Sequence, residues 1–304
     1  SSSGGSNSGS SGGSNSSSVN IGIGSKGRIP FRLLLVWNAT MSVLHAALAA
    51  VTLGVGNRNL APPLYATDVD FVENNRTPVE VAAGVPRFEL VPSFVQIGSF
   101  PLTWLVASFF LCSALAHAGN ATLWRSYYER NLSLCLAPTR YLEYAVSAPL
   151  MIVLIAYTAG TREYLGLVAL ALLMASVMPF GYLTDLMARP ASEDRWSAPL
   201  RIRLFPFALG FLPFLSVYGI ILANFYDQSA SADRAPWFVH LVVWLQLGLF
   251  GAFAVVPLFQ QLRAPRAYYQ GELAFQVLSL ASKATLGMLF LTNVLVLGSF
   301  AEAF

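Results

Sequence analysis

The sequence predicts an all-α membrane protein, a bundle of seven transmembrane helices with a small β-hairpin in its first extracellular loop. Three observations carry this. Hydrophobic residues make up 55% of the 304 residues and charged ones only 11%, against roughly a quarter charged in an ordinary soluble domain. Seven apolar stretches, near 31–55, 98–119, 136–160, 164–187, 203–225, 236–261 and 268–298, each reach the about 20 residues that cross a hydrocarbon core as a helix. Basic residues, finally, are shared unevenly between the ends of these spans. With the N-terminus inside, the inner segments hold twelve (Lys26, Arg28, Arg32, Arg125, Arg130, Arg140, Arg189, Arg195, Arg201, Arg203, Arg263 and Arg266) and the outer ones five (Arg58, Arg76, Arg87, Arg162 and Arg234). The positive-inside rule then puts the N-terminus in the cytoplasm and, after an odd number of crossings, the C-terminus outside.

This composition excludes a soluble globular enzyme, and a net charge of +3 gives no nucleic-acid surface. Residues 1–29 form a tail, its first 18 residues only Ser, Gly and Asn, which cannot bury enough apolar surface to offset chain entropy and are expected to be disordered. Residues 30–304 form the membrane domain, whose first hydrophobic helix is expected to direct insertion itself. The connections are short except for 56–97, which contains Pro62, Pro63, Pro78, Pro86 and Pro92. There the alternation of Val79–Val81 and Arg87–Val91 suggests the hairpin strands. Cys112 and Cys135 have no metal spacing and no CxxC pattern, and are read as packing residues.

Five of the spans have no acidic or basic residue in their interior. The third carries Arg140 and Glu143, and the seventh carries Glu272 and Lys283. Such residues are costly in lipid, about 2.5–3.5 kcal/mol for a mid-span lysine on insertion scales, and mark function. Lys283 lies too deep to snorkel to either surface. Three roles remain open for it: a Schiff-base lysine, the coupling charge of a transporter, or half of a structural ion pair. Glu272, Gln276, Ser279 and Lys283 follow one another at spacings of four, three and four, so they share one helix stripe. It leads from Lys283 toward the cytoplasm, making Glu272 and Gln276 a candidate proton path. Past the lysine it continues as Gly287, Phe290 and Val294, without an ionisable group.

Glu143 enters from the same side at a matching depth and can supply the counter-charge that a buried cation requires. The competing reading is an interfacial Arg140–Glu143 pair at i, i+3. His45 and His117 lie in the same half, in otherwise apolar helices, and point to a shared polar cavity. Ser147 and Met151 of span three and Trp244, Phe250, Phe253 and Pro257 of span six suit a flat apolar ligand, with Pro257 able to kink its helix.

The segment Arg140-Tyr141-Leu142-Glu143-Tyr144-Ala145-Val146-Ser147, followed by Met151-Ile152-Val153-Leu154-Ile155, resembles the third helix of the heliorhodopsins. Ser279-Leu280-Ala281-Ser282-Lys283 and Ser113-Ala114-Leu115-Ala116-His117 resemble that family's seventh and second helices. The resemblance spans roughly residues 30 to 300, and the inverted orientation fits it. It implies all-trans-retinal on Lys283, Glu143 as counterion, Ser279 beside the Schiff base, and His45 and His117 lining its cytoplasmic cavity. It further implies a homodimer and a hairpin in the long outer loop. The expected function is light sensing through a slow photocycle, with an unidentified soluble signalling partner. A light-gated proton conductor is the alternative, since some relatives are reported to pass protons. The remote alternative, a chromophore-free transporter, is disfavoured by the lack of an inverted repeat.

Overall fold

In the computed structural model, which describes residues 30–73, 77–84, 88–227 and 235–296, seven helices are long and apolar enough to cross a membrane. They are α1 (Phe31–Val55), α3 (Leu102–Ala121), α5 (Pro138–Thr158), α6 (Tyr164–Met187), α7 (Leu200–Asp227), α8 (Trp237–Leu262) and α9 (Tyr268–Phe290). The last is led in by a 3₁₀ turn at Pro265–Ala267 and continued by a π-helical turn at Leu291–Val296. The tail, and Arg76, Arg87 and Arg234 of the charge count, lie outside the described residues.

The helices form a closed ring. Helix α1 packs on α3, α3 on α5, α5 on α6, α6 on α7 and α8 on α9, and α9 returns to α1. The bundle is apolar on its outer surface, and within its apolar core it gathers a set of buried polar and charged side chains. Leu115, Leu165, Leu172, Leu212 and Val255 are each more than 60% exposed on the outer surface. Asn38, His45, Ser113, His117, Arg140, Glu143, Asp185, Glu272 and Lys283 are buried. This arrangement follows from the solvent, because lipid accepts leucine and valine while an ionised side chain must find its partners inside the protein.

At one end of the ring, β1 (Pro63–Glu73) and β2 (Phe88–Ser99) pair antiparallel from Pro63↔Ser99 to Glu73↔Phe88. The hairpin is tied to the α5–α6 corner, where the Tyr65 amide donates to the Arg162 carbonyl at 3.1 Å and the Tyr157 hydroxyl to the Pro63 carbonyl at 3.0 Å. The strands differ from the expected ones. Val79–Val81 belong to a short helix, α2 (Pro78–Ala82), because Thr77, Pro78 and Glu80 form a capping box with proline in the first turn, and this local signal outweighs three residues of alternation. The Thr77 amide and hydroxyl each donate to Glu80 at 2.9 Å, the amide chiefly holding this carboxyl below its ordinary range. That cap is therefore present above the ordinary carboxylate range and is lost as acid protonates Glu80.

At the opposite end the α3–α5 connection contains an unexpected helix, α4 (Arg125–Ser133). It seats Tyr128 and Leu132 against Leu34 and Tyr268. Cys135 follows in the left-handed region at φ 55°, and burial pushes its thiol up to about 12, so it is an inert packing group.

Candidate functional site

Helix α9 carries its polar stripe into the centre of the ring, where Glu272, Gln276, Ser279 and Lys283 are all at most 2% exposed. Lys283 Nζ donates to Ser279 Oγ at 2.6 Å, one turn back on its own helix, and to Glu143 Oε1 of α5 at 3.1 Å. The same carboxylate oxygen accepts from Ser113 Oγ of α3 at 2.5 Å. Lys283 Nζ also lies 5.1 Å from the centre of the Tyr144 ring. Three helices thus converge on one ion pair, in which the ammonium is matched by one carboxylate.

A cavity of about 130 Å³ begins at Lys283 and runs between α5, α6, α7 and α8. Its wall is aromatic and aliphatic, with Met151, Phe250, Phe253 and Pro257 among the lining residues and Ser147 contributing a buried hydroxyl that has no partner among the described residues. An apolar cleft ending at a buried amine fits an extended apolar aldehyde. Trp244 does not belong to it, which corrects the sequence reading. Its ring is 51% exposed on the outer face of α8, and its indole donates to Tyr226.

Arg140 turns away from Glu143. Its guanidinium reaches Glu272 of α9 through Nη1, and Asp185 of α6 through Nη2 at 3.1 Å, with the Tyr141 hydroxyl at 2.9 Å. Tyr268 donates to Asp185 at 2.6 Å, and the Phe275 ring lies 4.0 Å from the guanidinium carbon. The i, i+3 pair is therefore absent, because helix rotation points the two side chains at different neighbours. Asp185 was missed because it stands near the end of an apolar span and reads as a boundary residue.

Gln276 meets Tyr128 of α4, not Lys283. Its amide donates to the Tyr128 hydroxyl at 3.5 Å, and that hydroxyl donates to Glu272 at 3.2 Å. His45 and His117 stack at 5.5 Å, with His117 Nδ1 2.9 Å from Asn38 Oδ1 and the Nε2 atoms of both rings without a partner among the described residues. Gln246 of α8 was also missed. It donates to the Ser282 carbonyl at 3.1 Å, next to the lysine, and nothing in its apolar surroundings signals that role.

A ring of seven helices closed around a buried lysine–carboxylate pair, with an apolar cleft opening from the lysine, is the architecture of a rhodopsin-type membrane protein. The chain is similar to the solved structure of xanthorhodopsin, a light-driven ion pump with dual chromophore, with a TM-score of 0.57 and 13% identity over 90% of this chain and 96% of that one, which shows the shared fold. A sequence model of the heliorhodopsin family matches residues 34–295, and the chain belongs to that family. It is an integral, multi-pass membrane protein and a light-responsive retinal protein. Comparison with curated proteins gives no match.

Proposed function

We propose that the protein is a light sensor in which all-trans-retinal is carried on Lys283, with Glu143 as its counterion, and in which a slow photocycle serves signalling rather than ion transport. Retinal, when bound, would supply absorption of visible light, with positive charge moving away from the lysine nitrogen on excitation, and an isomerisation that disturbs the groups around that nitrogen. The chain's own residues hold that charge. Glu143 lies 3.1 Å from Nζ, Ser113 fixes the carboxylate from behind, and Ser279 accepts from the nitrogen. The cavity wall excludes water from the apolar part of the ligand. The basic-residue count supports an orientation with the α4 end in the cytoplasm.

One observation carries the choice of sensor over conductor: the one-sided placement of charge. Arg140, Glu143, Asp185, Glu272, His45 and His117 all lie level with Lys283 or toward the α4 end. Toward the hairpin end the core is built of Val106, Phe110, Leu286, Phe290 and Val294, each at most 1% exposed. No Asp, Glu, Lys or Arg among the described residues is buried in that half to pass a proton onward. In a voltage-clamped cell, illumination is expected to give no steady photocurrent; a current that reverses with the proton gradient would overturn the sensor reading and make Glu272 and His117 a conducting half-channel. The reading includes a homodimer, which cross-linking in lipid checks by a band at twice the subunit mass.

Glu143→Gln tests the counterion assignment. Lys283 then faces a neutral amide in a low-dielectric site, and an unpaired buried charge is strongly disfavoured. The expected result is loss or displacement of the wild-type visible band at neutral pH, with recovery toward it in Glu143→Asp. An unchanged band in Glu143→Gln removes the carboxylate from that role.

A further inference from the structure

Helix α4 is a surface element whose two polar anchors both run into the buried network. Its second anchor, Tyr128, is 3% exposed, whereas its neighbour Tyr127 is 52% exposed and Leu123 is 87% exposed. The Tyr128 hydroxyl sits between Glu272 and Gln276, two members of the stripe that ends at Lys283. Gln276 Oε1 is buried without a partner among the described residues, one turn from Ser279, so this amide has an unused acceptor facing the interior. The first anchor is Trp124, at the N-cap of α4. Its indole donates to Asn120 Oδ1 at 2.9 Å, Asn120 donates to Asn38 Oδ1 at 3.5 Å, and the same oxygen meets His117 Nδ1 at 2.9 Å. His117 in turn stacks on His45 at 5.5 Å and stands one turn of α3 from Ser113, which donates to Glu143 Oε1 at 2.5 Å. Gly119 makes the corner possible, since a Cβ there would run into the Trp124 ring.

We infer that α4 is the element through which the light signal leaves the bundle, with Tyr128 and Trp124 as positioning residues that couple it to the Lys283–Glu143 pair by two routes, one along α9 and one through His117 and Asn38. The inference rests on the sensor reading. The physical ground is the contrast between α4 and its supports. Its apolar seat is a satellite of the main core, Tyr128 and Leu132 with Leu34, Cys135 and Tyr268, flanked by Phe31, Trp196 and Leu273, so its position depends also on hydrogen bonds to groups that a change of charge at Lys283 perturbs. Elements held by few buried contacts open at low free-energy cost.

Amide hydrogen exchange on the full chain, loaded with all-trans-retinal in lipid nanodiscs and compared in darkness and continuous light, tests this. Peptides covering residues 122–134 are expected to exchange several-fold faster in light, while β1 and β2 do not change. In Gln276→Leu the Tyr128–Glu272 bond remains, so dark exchange of α4 stays at the wild-type level, but the light-induced increase is reduced to what the His117–Asn38 route carries. In Tyr128→Phe dark exchange rises and the light-dark difference collapses. A wild type with its visible band but no light-induced exchange in α4 overturns the proposal, as does a Gln276→Leu variant that keeps the full increase. Photocurrents recorded on the same protein separate the two readings: a current following the proton gradient sinks the sensor reading, and a silent α4 without current sinks the coupling alone.

Discussion

Lys283→Ala supplied with all-trans-retinal is expected to show no visible absorption band, where the wild type shows one that hydroxylamine bleaches under light. The expected loss is complete because attachment needs an amine at the cavity. Lys283 is one of two lysines in the chain, and the other, Lys26, belongs to the N-terminal tail. The remaining wall of the cavity is apolar apart from hydroxyl groups such as Ser147. Alanine also leaves Glu143 as a buried charge whose remaining side-chain hydrogen bond among the described residues is from Ser113, so the single variant should lose stability as well as colour. Lys283→Ala combined with Glu143→Gln removes both charges and should fold better while staying colourless, which separates loss of attachment from loss of fold. A visible band in either variant overturns Lys283 as the attachment point. A well-folded wild type that forms no band would return the lysine to the role of a coupling charge.

Arg140→Gln is expected to be the most destabilising single change at the α4 end, by about 3–5 kcal/mol, the usual cost of removing one partner from a buried ion pair. Arg140 is 4% exposed and its guanidinium bridges Glu272 and Asp185, so its loss strands two carboxylates with no other cation paired to them among the described residues. Thermal denaturation in detergent reads the effect. Adding Glu272→Gln to Arg140→Gln removes one stranded charge and should recover a substantial part of the loss, a non-additive result expected for side chains sharing one network. Arg140→Lys should recover little, because a single ammonium cannot reproduce the planar fork that meets both carboxylates and Tyr141. Wild-type stability in Arg140→Gln would show that the cluster does not hold α5, α6 and α9 together.

The two variants probe sites of different legibility. Lys283 and Glu143 stand out in sequence because charge is rare in apolar spans, and their matched depth suggested the partnership that the structure displays as a 3.1 Å contact. The α9 stripe was readable for a similar reason: helical spacing within one segment fixes which residues share a face. The triad around Arg140 was not readable. Its members are separated by 45 and 132 residues, and the choice of Glu272 over Glu143 depends on how α5 is rotated against α9.

Trp244 and the hairpin show the same boundary. In water an apolar stripe marks the core, but lipid is as apolar as a packed interior, so an α8 that is hydrophobic all round does not reveal which side faces the cavity. Packing against α7 and α9 turned Phe250 inward and Trp244 outward. Similarly, three alternating residues could not distinguish a strand from the capped helix α2. The sequence by itself determined the number and placement of the spans, the rarity of Lys283 and the face it occupies, because these depend on composition, length and local periodicity. Only the tertiary structure decided which charges meet, which aromatics line the cavity and where α4 is anchored, because those depend on the relative rotation of helices, and no segment encodes that alone.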